Sequence, residues 1–107
     1  MARKLPLRVV PMANGAGPPL EFNYGDTMQM LLRQGSLGRG LTLDEVLRCV
    51  EAMAPLEEAI KAKADEVTFT EEQYRTLKEK LDTFAWTIAD RVIAEFGLAI
   101  RQAPEIT

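Results

Sequence analysis

Apolar residues recur along this chain with two periods, and the switch between them outlines a fold. Leu5, Leu7 and Val9 alternate with Lys4, Arg8 and Val10, and Leu20, Phe22 and Tyr24 alternate with Glu21 and Asn23. A period of two marks half-buried strands. Between the two runs, Asn14-Gly15 is a turn pair, because both residues tolerate positive φ. The pattern predicts an antiparallel hairpin whose connection, residues 11–19, is a mobile loop. Such a ribbon is not stable alone in water, so it must lean on helices.

Beyond residue 26 the spacing lengthens to three and four. Asp26 is placed to cap a helix starting at Thr27, with Met28, Leu31 and Leu32 as its apolar side and Gly35 ending it. Thr42 and Glu45 form a capping box for the next helix, which carries Leu43, Val46, Leu47, Val50 and Met53 on one face. A stripe of that kind is how an amphipathic helix meets a core. Pro55 either kinks this helix or opens a second segment with Leu56 and Ile60. Val67 and Phe69 alternate briefly, enough for a third short strand. Thr70 and Gln73 make a second capping box, followed by Tyr74, Leu77, Leu81 and Phe84 at helical spacing. Ala85-Trp86-Thr87 reads as a joint. The last helix then lines up Ala89, Val92, Ile93, Phe96, Ala99 and Ile100. The chain is thus expected to be one α+β domain over residues 1–107, predominantly helical. An N-terminal β-hairpin, with a possible third short strand, packs on three to four helices, and residues 1–3 and 103–107 fray.

Composition narrows the chemistry. Among 107 residues there is no histidine and a single cysteine, Cys49. That argues against imidazole acid–base catalysis, Cys–His and Ser–His nucleophiles, and nearly every zinc site. A net charge of -3 gives no basic footprint for duplex nucleic acid. No apolar run approaches the length of a membrane span. One cysteine forms no internal disulfide, so an intracellular, cytoplasmic setting is the default. No metal or cofactor is implied by any motif.

Several constellations still invite a functional reading. Residues 34–40 form a glycine-rich connection between two helices, where Arg33, Gly38, Arg39 and Gly40 suggest a site for a small anion or nucleotide. Its spacing fits neither a dinucleotide fingerprint nor a P-loop, and a plain interhelix connection explains the same glycines. The carboxylates Glu57, Glu58, Asp65, Glu66, Glu71 and Glu72 are interspersed with Lys61, Lys63, Arg75 and Lys78, which reads as a solvated charged face rather than an acid–base or metal site. Cys49 has the spacing of a small core hydrophobe. Met30, Trp86, Phe96 and Ile100 are candidates for a partner interface: Met30 because Met28, Leu31 and Leu32 already occupy the inward face, Trp86 as an aromatic anchor, and Phe96 and Ile100 because the last stripe is wide for so small a domain.

The opening, Leu5-Pro6-Leu7-Arg8-Val9 followed by Leu20-Glu21-Phe22-Asn23-Tyr24-Gly25-Asp26, resembles a small strand pair leading into helices. The stretch Val67-Thr68-Phe69-Thr70-Glu71-Glu72-Gln73-Tyr74, through Leu77-Lys78 to Trp86 and Ile88-Ala89-Asp90, is similar to short helical proteins of tailed bacteriophages and prophages. That resemblance implies assembly near a tail or head, or inhibition of a host protein, in the bacterial cytoplasm; it transfers no functional residue. The resulting expectation is a non-enzymatic protein-binding protein, with homo-oligomerisation as one form of it. A small-anion module is the alternative, and a carboxylate–metal enzyme the least favoured.

Overall fold

The structure, a computed structural model, describes residues 2–12, 17, 20–34, 40–86 and 89–106. Its first strand, β1 (Ala2–Pro6), pairs antiparallel with β4 (Glu66–Thr70), in a register that sets Ala2 against Thr70 and Pro6 against Glu66. On the other side of β1 lies β5 (Glu105–Ile106), giving the order β4-β1-β5. The alternation of Val67 and Phe69 is that of a half-buried strand: both face the core, while Glu66, Thr68 and Thr70 face out.

The hairpin exists, but with a different first arm. A second strand, β2 (Val9–Met12), pairs with β3 (Leu20–Asn23), Val9 opposite Asn23 and Met12 opposite Leu20. The single strand expected around Leu5–Val9 is therefore two strands in two sheets. Pro6, which has no N–H to donate, ends β1, and Leu7 and Arg8 carry the chain across. Both crossing residues remain tied to the backbone: Leu7 N donates to Asp65 O (2.8 Å), and Arg8 O accepts from Tyr24 N (2.9 Å). Pro11 and Met12, expected in the loop, belong to β2; the rest of that loop lies outside the described residues except Gly17.

Among the described residues, four helices follow from local signals. Helix α1 (Tyr24–Arg33) is capped by Asn23, not Asp26; the Asn23 Oδ1 accepts from Asp26 N at 3.0 Å, and Asp26 sits in the first turn. Both residue types cap well, so the three-residue difference is decided by where β3 ends. Gly25 lets α1 approach helix α2 (Leu43–Lys61) closely, since a Cβ there would lie 3.1 Å from Ile60 Cδ1. The capping box of Thr42 and Glu45 opens α2, and that of Thr70 and Gln73 opens α3 (Glu71–Thr83). Asp90 caps α4 (Arg91–Arg101) by accepting from Val92 N, which leaves Ala89 ahead of the helix and exposed.

Pro55 neither breaks α2 nor opens a new segment. It cannot donate to the carbonyl four residues back, Glu51 O. Gln73 Nε2 donates there instead, at 3.1 Å, while Gln73 Oε1 accepts from Thr70 N at 2.9 Å. One amide thus completes the α3 cap and satisfies the carbonyl that Pro55 leaves open on α2.

The core gathers Leu5, Met28, Leu32, Leu56, Phe69 and Leu77 between the sheets and helices. Phe96 stands edge-on to Phe22 and Tyr24, with ring centres 5.3 and 5.0 Å away. Lys80, buried on α3, donates through Nζ to the Gln34 carbonyl, so a cation closes the negative end of α1.

Among the described residues of the two ends, where fraying was expected, Ala2 pairs with Ile106 and Arg3 with Glu105. Arg3 binds Glu71 (3.1 Å) and Glu105 (2.9 Å), donates to Ala103 O (2.9 Å), and lies 4.7 Å from the Tyr74 ring centre. The Tyr74 hydroxyl lies 2.7 Å from Ile100 O. This cluster ties β1 and β5 to α3 and to the end of α4. It spans up to 102 residues of sequence, which is why no local pattern announces it.

Candidate docking surface

Helix α2 presents apolar side chains on two faces. Cys49, Ala52 and Leu56 point into the core. Leu43, Val46, Leu47 and Val50 point out, with 73%, 37%, 55% and 53% of their surface exposed. Their spacing of three, four and seven residues places them in one stripe over two turns. This corrects the expectation that the stripe faces inward. The inner face is built on Cys49 and Ala52, whose small side chains let α1, α3 and β4 close on the helix, and one leucine fills the remaining space. Met53, at the edge between the two faces, is half-buried. An exposed leucine alone needs no explanation, but four neighbouring large apolar residues on one helix make this face the candidate docking surface.

Carboxylates border this ridge on one side. Asp44, Glu51 and Glu58 follow each other at intervals of seven residues, all exposed, and form no ion pair among the described residues. Glu51 also lines an open groove of about 690 Å³ between α2 and α3, together with Arg48, Glu72, Gln73, Arg75 and Glu79. On the opposite border, Val46, Met53 and Ile60 lead into the body of the protein, with Met53 and Ile60 packed against the core.

The other candidate residues fall differently. Phe96 and Ile100 are wholly buried, so they belong to the core of the single chain and offer nothing to a partner; the wide stripe of α4 closes on Phe22, Tyr24 and Tyr74. Met30 is half-buried and leans on the core. Trp86 is half-buried, with its ring centre 4.6 Å from Phe84, and borders a shallow apolar cleft of about 380 Å³ with Leu81, Ile93, Gly97 and Leu98.

Of the anion-site residues, Gly38 and Arg39 lie outside the described residues. Arg33 ends α1 and is exposed, as is Gly40. The first turn of α2, the expected anion-binding end, is occupied by its own residues. Thr42 N donates to Glu45 Oε1 (3.3 Å), Glu45 N donates to Thr42 Oγ1 (3.2 Å), and Asp44 and Glu45 already bring negative charge to that end.

Among the described residues, no group of three or more cysteine and carboxylate side chains is placed to hold a metal. Glu71 is engaged by Arg3, which holds its carboxyl below the usual glutamate range. Burial pushes the Cys49 thiol up, away from the reactive thiolate. No helix among the described residues is long and apolar enough to cross a membrane.

No protein-family model, curated protein or solved structure matches the chain.

Proposed function

We propose that the protein is a non-enzymatic interaction protein that docks onto another protein through the outer face of α2. The observation that carries this reading is the ridge Leu43, Val46, Leu47 and Val50, apolar at helical spacing and open to solvent. Burying such a ridge in a partner's groove is a recurring mode of recognition, read as anchors at i, i+3, i+4 and i+7. The occupied first turn of α2 weighs against the small-anion alternative. In the setting that the sequence resemblance implies, the protein would be a phage-encoded accessory of assembly, or an inhibitor of a host protein, working in the cytoplasm.

The test is site-specific photo-crosslinking in the native cell, with the reactive residue at position 47 or, for comparison, at exposed Lys63, just past the far end of the helix. A covalent adduct from position 47, absent from position 63 and absent when Leu43 is changed to Asp, is the expected result. Equal adducts from both positions contradict the reading.

A further inference from the structure

We infer that the α2 ridge takes a basic amphipathic helix, one with a leucine- or valine-rich seam and Lys or Arg at intervals of seven along one border. This rests on the docking reading above and adds the chemistry of the partner. The apolar seam of α2 runs through Leu43, Leu47, Val50 and Ala54, the four-three-four spacing of a coiled-coil contact, and ends where the next seam positions are Glu57 and Lys61. Asp44, Glu51 and Glu58 stand beside it once per heptad, where side chains flanking a seam meet the flank of the opposing helix. The opposite border is closed by Met53 and Ile60 against the core, so charge selection falls on the acidic side alone. Across the groove, Glu72 and Glu79 extend the negative field; Arg48 and Arg75 are the cations that face it. The carboxylates outnumber them, and a partner's cations would be drawn there.

A second copy of the chain fits this surface badly. With two α2 helices antiparallel, Asp44 meets the other copy's Glu58 and Glu51 meets its own counterpart, like charge against like. With the helices parallel, Glu51 and Glu58 face Val46 and Met53 of the other copy, which offer no cation. Both arrangements leave the acidic row without a partner.

The experiment uses the full chain and two synthetic helical peptides of about three heptads with identical leucine seams, one flanked by lysine and one by glutamate. Binding is followed by fluorescence anisotropy at low and high salt, and self-association by sedimentation equilibrium. The lysine peptide should bind about tenfold tighter at low salt, the increment expected from a few exposed ion pairs, and high salt should narrow the gap. The double variant Glu51→Lys with Glu58→Lys should prefer the glutamate peptide. Leu47→Asp should abolish binding of both peptides. All three altered positions are exposed, so the variants keep the fold, which a melting curve verifies. Equal affinity for both peptides, lost together in Leu47→Asp, overturns the basic-helix inference and leaves the docking reading standing. Binding unaffected by Leu47→Asp, or none at all, removes both. A dimer that dissociates in Leu47→Asp and competes with the peptides makes the second copy the occupant and overturns the inference.

Discussion

Leu47 and Leu56 lie on the same helix and have the same side chain, yet the structure gives them opposite tasks. Leu56 is fully buried, among the core residues under α1, α3 and β4, whereas more than half of Leu47 meets solvent. Truncating Leu56 to alanine removes buried carbon atoms and leaves a cavity, at a cost of about 2–5 kcal/mol. Truncating Leu47 removes partly solvated surface and leaves no cavity, so its cost should stay below about 1 kcal/mol. For a domain near this size each kcal/mol moves the melting temperature by about 4–8 °C. Leu56→Ala should therefore melt at least about 8 °C lower than the parent, and Leu47→Ala only a few degrees lower. Thermal and urea unfolding followed by tryptophan emission provide the assay, because the sole tryptophan, Trp86, packs between Phe84 and Phe96. Leu47→Asp sharpens the contrast, since a carboxylate is tolerated on the ridge and not in a core. Comparable losses in Leu47→Ala and Leu56→Ala, or an unfolded Leu47→Asp chain, would refute the assignment of that face. A melting temperature that rises with protein concentration would then point to burial between subunits.

Other parts of the structure yield further expectations. The Arg3 contact holds the Glu71 carboxyl below its ordinary range, so its contribution to stability is present above the unfolded glutamate pKa and is lost as pH falls through the depressed folded value; Glu71→Gln should flatten the acid limb of a stability–pH profile, and an unchanged profile would show that the contact contributes nothing. Gln73→Glu keeps a residue suited to the capping box but removes the amide that donates to Glu51 O; it should cost about 1–2 kcal/mol by chemical denaturation, and a neutral result would show that another donor meets the carbonyl beside Pro55. Cys49 should react with an aromatic disulfide reagent only at the rate of unfolding, because it is buried and its thiol is pushed up; prompt labelling of the native chain would contradict the packing of the inner face of α2.

What the sequence disclosed was local. Thr42 with Glu45 and Thr70 with Gln73 specify their helix starts within four residues, so both capping boxes stand as read. Val67 and Phe69 show their strand because one face is buried and the other is not. The assignment of β1 depended on β4 and β5, which are distant in the chain, and the alternation from Leu5 to Val9 does not say which partner each residue will have. The chain ends were hidden for the same reason, since Arg3 is secured by residues far along the sequence. The ridge on α2 was visible as a stripe, but periodicity reveals that a face is apolar and not what covers it. Two signals pointed the right way: the second stripe of Cys49, Ala52 and Leu56, fit for close packing, and the heptad row Asp44, Glu51 and Glu58 beside the bulkier one.

Whether the outer face of α2 is the working surface is tested most directly by methyl NMR of the full chain titrated with the lysine-flanked helix. Resonances of Leu43, Val46, Leu47 and Val50 should shift together and saturably, while those of Leu56, Leu77 and Ile100 stay in place. Shifts centred instead on Ile93 and Leu98 beside Trp86, or no saturable change on the ridge, would contradict that role.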